Sequence, residues 1–139
     1  MSQVSYTVLS HTADTGIEAS APSLGKLLEQ LAMGMFSIIA NVGDRSLDRE
    51  IELTIDADTP DDLVVDTLSE LLYRADVDDV LFGEFTVDVQ DEWRIHIAAR
   101  GFDARGVELA GPPIKAVTYH DLVVRRSDGT WLGRVFFDV

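Results

Sequence analysis

The hydrophobic period of this chain changes from about 3.6 residues to about 2 and back, and that switching limits the folds open to it. Leu24, Leu27, Leu28, Leu31, Met35, Ile38 and Ile39 recur at helical spacing, after Pro22 and the N-cap candidate Ser23 and before Asn41 and Gly43. The next segment, REIELTIDA, alternates strictly. Ile51, Leu53, Ile55 and Ala57 share one face while Glu50, Glu52, Thr54 and Asp56 share the other, the pattern of a half-buried strand. A second helix is predicted over DTPDDLVVDTLSELLYRAD, with Thr59 as cap, Pro60 at the first helical position, and Asp61 and Asp62 where the helix dipole favours anions. Its apolar stripe is Val64, Leu68, Leu71, Leu72 and Ala75.

The remaining segments read as extended chain. EFTVDVQ and EWRIHIAA predict a hairpin around Asp91. SHTADTGIEAS predicts two short extended pieces around a turn supplied by Asp14 and Gly16. After the irregular GFDARGVELAGPPIK, a strand from Thr118 to Arg126 turns at SDG into a last strand from Trp131 to Val139. The expected architecture is α+β: a single domain over residues 1–139, with two main helices packed on a mainly antiparallel sheet of six or more strands.

Composition removes several functions. With 25 acidic and 11 basic side chains the net charge is −14, a field that repels a phosphate backbone and argues against direct nucleic-acid binding. No stretch approaches the roughly 18 consecutive apolar residues of a membrane span, and the N-terminus lacks the basic and apolar regions of a signal peptide. No membrane partner and a cytoplasmic location are therefore expected. The absence of cysteine excludes disulfides, thiolate zinc sites and cysteine nucleophiles. Phosphate loops, nucleophile elbows and H-E-x-x-H helices are absent as well.

The candidate chemistry rests on a few polar residues. His11, His96 and His120 show no metal-ligand spacing, and His96 sits between Ile95 and Ile97 on the polar face of a strand. Asp14 reads as an Asx-turn residue. In the terminal RVFFDV, Val135, Phe137 and Val139 share one face, so Asp138 points the other way, beside the α-carboxylate of Val139. If Asp14 lies near that strand end, three carboxylates meet and raise one another's pKa unless a cation or a basic side chain joins them. Hard oxygen donors favour calcium, magnesium or manganese over zinc or copper. The two lysines, Lys26 and Lys115, both read as surface residues, and spacing leaves open whether Asp14, Lys115 and Asp138 converge.

HTADTGIEA, DLVVDTLSELLYRADVDDVLFGEF, KAVTYHDL and RVFFDV, in that order and across nearly the whole chain, resemble the archease family. The resemblance implies a small activator of RtcB-type RNA ligases, which join tRNA exon halves after intron removal through a histidine–GMP intermediate formed from GTP with manganese. It implies an accessory factor, not an enzyme, that promotes ligase guanylylation and repeated turnover. The family's divalent-metal site maps onto Asp14, Asp138 and the carboxylate of Val139, and its functional lysine onto Lys115. His11 and His120 map onto supporting positions. Calcium is the cation expected in a structure, with manganese or magnesium for function. One departure lies in FDARGVELAGPPIK, where Gly106 follows Arg105 in place of the basic residue and histidine of many relatives. Two other functions fit the same carboxylates: an independent metal-dependent hydrolase, and a chaperone-like scaffold with a structural metal.

Overall fold

The computed structural model describes residues 5–10 and 15–139. The elements run β1 (Tyr6–Ser10), β2 (Thr15–Ala21), α1 (Leu24–Ile39), β3 (Arg49–Asp56), α2 (Pro60–Asp78), β4 (Val80–Asp91), β5 (Arg94–Asp103), β6 (Ala116–Val117), β7 (Val123–Ser127) and β8 (Thr130–Asp138). Both helices start where their caps require. The Ser23 hydroxyl accepts the Lys26 N–H at 3.2 Å and the Thr59 hydroxyl accepts the Asp62 N–H at 3.0 Å, each satisfying a donor that the first helical turn leaves free.

The strands divide between two antiparallel sheets. One has the order β1-β2-β8, with β6 and β7 both pairing along the far edge of β8; the other has the order β3-β5-β4. Helix α1 touches both. Leu27 and Leu31 lie over Gly133 of β8, whereas Phe36 meets Phe82 and Phe85 of β4 with ring centroids 5.5 and 5.8 Å apart. The Glu29 carboxylate also accepts the Val87 N–H of β4 at 2.9 Å. Eleven of the 16 residues of α1 are buried, so the stripe seen in sequence widens to most of the helix surface. Among the described residues, no helix is long and apolar enough to cross a membrane.

Three features depart from the sequence pattern. Strand β4 begins at Val80, ahead of the alternating segment, because Val80, Leu81 and Phe82 are all buried and show no alternation. The strand expected from Thr118 to Arg126 holds only from Val123 on, as β7; Thr118–Leu122 instead links β7 to the short β6 that precedes it, through a turn in which the Leu122 N–H reaches the Tyr119 carbonyl and Asp121 has φ 51°. Gly16 belongs to β2, paired with Leu9 and Phe136, rather than to the turn. Asp14, the other residue expected to shape that turn, lies outside the described residues.

At Gly16 a Cβ would fall 2.6 Å from Cδ1 of Phe136 and 2.7 Å from the Val135 carbonyl oxygen, so only glycine lets β2 approach β8 beneath that ring. Gly16→Ala is expected to cost about 1–3 kcal/mol through overpacking, read as a lower urea midpoint at unchanged m-value.

Candidate functional site

The end of β8 is held from both sides. On one edge Thr15 pairs with Phe137 and Gly16 with Phe136. On the other, Ala116 and Val117 pair with Asp138 and Phe137, and the Lys115 N–H donates to the Asp138 carbonyl at 2.7 Å. Thr118 completes the junction: its N–H and its hydroxyl each donate to the Phe136 carbonyl at 3.0 Å.

Alternation along β8 places Val135 and Phe137 fully inside and Asp138 outside; Val139, on the inner parity, lies beyond the last strand residue and is exposed. Phe136 is the exception on the outer face. It is buried because Gly16 leaves room beside it and the His120 ring packs edge-on at 6.5 Å.

Lys115 is exposed and has no ion-pair partner among the described residues, whereas Lys26 pairs with Glu29 at 3.2 Å. His120 is exposed as well, with Nε2 3.2 Å from the Asp121 carboxylate, and its backbone N–H donates to the Thr118 hydroxyl at 3.2 Å. His96 lies far from this junction in the other sheet, with Nε2 2.8 Å from Glu52. His11 and Asp14 lie outside the described residues. The structure thus brings Lys115 to Asp138 through backbone pairing, with Val139 next along the chain and His120 in the turn after β6.

Sequence spacing missed the contact that anchors the other end of this segment. The Tyr119 hydroxyl donates to the Asp62 carboxylate in the first turn of α2 at 2.7 Å. Asp62 reads in sequence only as a residue suited to the helix dipole, and its partner is 57 positions away. The bond to Asp62, together with burial and the charges of Asp62, Asp66 and Asp61, pushes the Tyr119 phenol up to about 12. Burial and the neighbouring Asp62 raise Asp66 in turn.

The loop that departs from the family pattern has its own internal logic. Arg105 forks onto Asp103, with Nε 3.0 and 3.1 Å from its two oxygens and Nη2 at 2.6 Å, which holds the Asp103 carboxyl well below the usual range. Gly106 follows with φ 78°, a left-handed conformation that suits glycine. Among the described residues, no group of three or more acidic or histidine side chains is arranged to hold a metal. The hard oxygen donors present at the strand end are those of Asp138 and Val139.

Residues 6–139 match the model of the Archease protein family. The chain belongs to the archease family. A protein archease from Methanosarcina barkeri is 33% identical over 140 residues, covering 96% of this chain and 95% of its own. One from Pyrococcus furiosus is 30% identical over 136 residues, covering 93% and 94%. The solution structure of a Methanobacterium thermoautotrophicum protein superposes with a TM-score of 0.83 at 26% identity, over 99% of this chain and 100% of that one. An archease from Thermotoga maritima, described there as a possible chaperone, shares the fold with a TM-score of 0.67 at 24% identity, over 94% of each chain.

The Tyr119–Asp62 bond has a measurable signature. A phenol pKa raised in the folded state means that the bond stabilises below the ordinary value of about 10 and is lost as pH rises through about 12. Spectrophotometric titration near the phenolate band is expected to show one of the three tyrosines ionising near 12, and Asp62→Asn is expected to return it toward 10.

Proposed function

We propose that this chain activates an RtcB-type RNA ligase in tRNA splicing, and that it does so through a divalent cation held by Asp14, Asp138 and the α-carboxylate of Val139, with Lys115 beside them. The observation that carries this reading is the register at the end of β8. Thr15, the chain neighbour of Asp14, pairs with Phe137, while Lys115 bonds to Asp138 across the other edge. Three motifs far apart in sequence therefore share one strand end.

The donor set suits a hard cation, since it offers carboxylate oxygens and no thiolate. A divalent cation held there would offset two of the three carboxylate charges and would offer open coordination positions to an oxygen donor of the partner. The chain's own residues then have separable tasks. Asp138 and Val139 supply exposed oxygen donors from a strand whose register is locked by the buried Val135 and Phe137. Lys115, exposed and unpaired among the described residues, offers an ammonium to a phosphate or carboxylate of the ligase. His120 packs its ring edge-on against Phe136 beside the strand end. Activation follows if the tip binds the guanylylation-competent form of the ligase better than its other forms, and only by that difference in affinity.

The test is multiple-turnover ligation by the ligase with GTP and manganese, alongside calorimetric titration of this chain with calcium and manganese. Wild type is expected to accelerate turnover. Asp14→Ala and Asp138→Ala, folded by circular dichroism, each remove a proposed direct ligand and are expected to lose more cation affinity than the about 10–100-fold typical of a group that only supports a ligand, and stimulation with it. A glycine added after Val139 is expected to do the same. Stimulation that persists without measurable cation affinity would overturn the cation's role, and phosphoester hydrolysis by the pure chain would replace the activator with a hydrolase.

A further inference from the structure

We propose that the cleft between α2 and the segment Leu109–Val117 is a docking groove for a partner segment that combines apolar side chains with lysine or arginine. The cleft measures about 670 Å³, within the range of formed binding pockets. Its floor is apolar and buried, built by Ile39, Val80 and Ile114. Its walls are large apolar residues left in water: Tyr73 is 60% exposed on α2 and Leu109 is 47% exposed across from it. Val77, one turn beyond Tyr73, extends this surface at 56% exposure. Contiguous exposed apolar surface of this kind marks an interaction site more often than scattered single residues do.

Charge selects the occupant. Asp76 and Asp79 line the cleft at the C-terminal end of α2, where the helix dipole is already negative and no basic residue stands in the last turn. Asp76 is exposed with no partner among the described residues. Nearby cations are engaged elsewhere: Arg74 pairs with Asp78 at 3.2 Å, and Arg105, which senses the charge of Asp79, is forked on Asp103. Lys115 lines the cleft too, and its charge excludes a cation from its own vicinity. A bound segment is thereby oriented, with its lysine or arginine at the α2 end and its apolar side chains between Tyr73 and Leu109. A second copy of this chain is disfavoured as occupant, because it carries the same net charge of −14. This docking does not depend on the carboxylates at the chain end.

The experiment pans phage-displayed peptides of about 12 residues on wild type, and measures the enriched peptides by fluorescence anisotropy and amide chemical shifts. The expected peptides pair apolar residues with lysine or arginine, shift the amides of residues 73–81 and 109–117, and bind Leu109→Asp at least about tenfold more weakly. Repeating the panning on Asp76→Lys is expected to exchange lysine and arginine for aspartate and glutamate. No enrichment, no cation preference, or equal binding to Leu109→Asp would overturn the proposal. So would a concentration-dependent dimer that Leu109→Asp dissolves, which would give the groove to a second copy.

Discussion

Strand β8 has no free edge, and the site depends on that. It pairs with β2 on one side and with β6 and β7 on the other, so its register is set twice. A slip of one residue would turn Val135 and Phe137 out of the core and drive Asp138 into it. Each large apolar side chain so exposed would lose about 1.5–3 kcal/mol of burial, and an unpaired carboxylate would lose its hydration as well. The position of Asp138 at the surface is therefore enforced by the residues on either side of it. The same argument reaches Lys115, whose N–H is fixed on the carbonyl of Asp138.

The second sheet has a different task. It closes the core through Phe82 and Phe85, which meet Phe36 of α1, and through Trp93, whose ring stands edge-on to Trp131 of β8 at 6.4 Å. Its outer face carries cross-strand charge pairs such as Glu84 with Arg100 at 3.2 Å. Exposed pairs of this kind add little stability and keep the face solvated. Helix α1 ties the two sheets together, which explains why its burial spreads beyond a single stripe.

Local physics was legible wherever one residue type has one job. Ser23 and Thr59 accept the N–H groups their positions predict, and Ile51, Leu53 and Ile55 hold the inner face of β3 as alternation requires. What escaped the sequence needs a partner distant along the chain. Gly16 is a strand residue because Phe136 lies over it. The break between β6 and β7 arises because Thr118 spends both its donors on Phe136 and Tyr119 turns aside to Asp62. Of the site, Asp138 and the Val139 carboxylate were singled out by alternation and Lys115 and His120 were given their roles by resemblance, while spacing alone offered no way to see that β6 pairs with the end of β8 and sets Lys115 beside Asp138. Asp14 and His11 stand outside the described residues, so the carboxylate set rests on their neighbours.

Helix α2 shows how unevenly the acidic charge is used. At its N-terminus Asp61 and Asp62 face the positive end of the dipole, an arrangement worth about 0.3–1 kcal/mol for each exposed charge. Asp62 is engaged further by the Tyr119 hydroxyl. At the C-terminus the same physics acts in reverse: Asp76, Asp78 and Asp79 crowd the negative end, and only Asp78 has an arginine within the helix. A helix that merely needed solubility would gain by exchanging those charges for lysines in its last turn. Keeping the negative end beside an apolar cleft leaves Asp76 without a partner among the described residues, and a cation brought from outside would gain there what the fold forgoes.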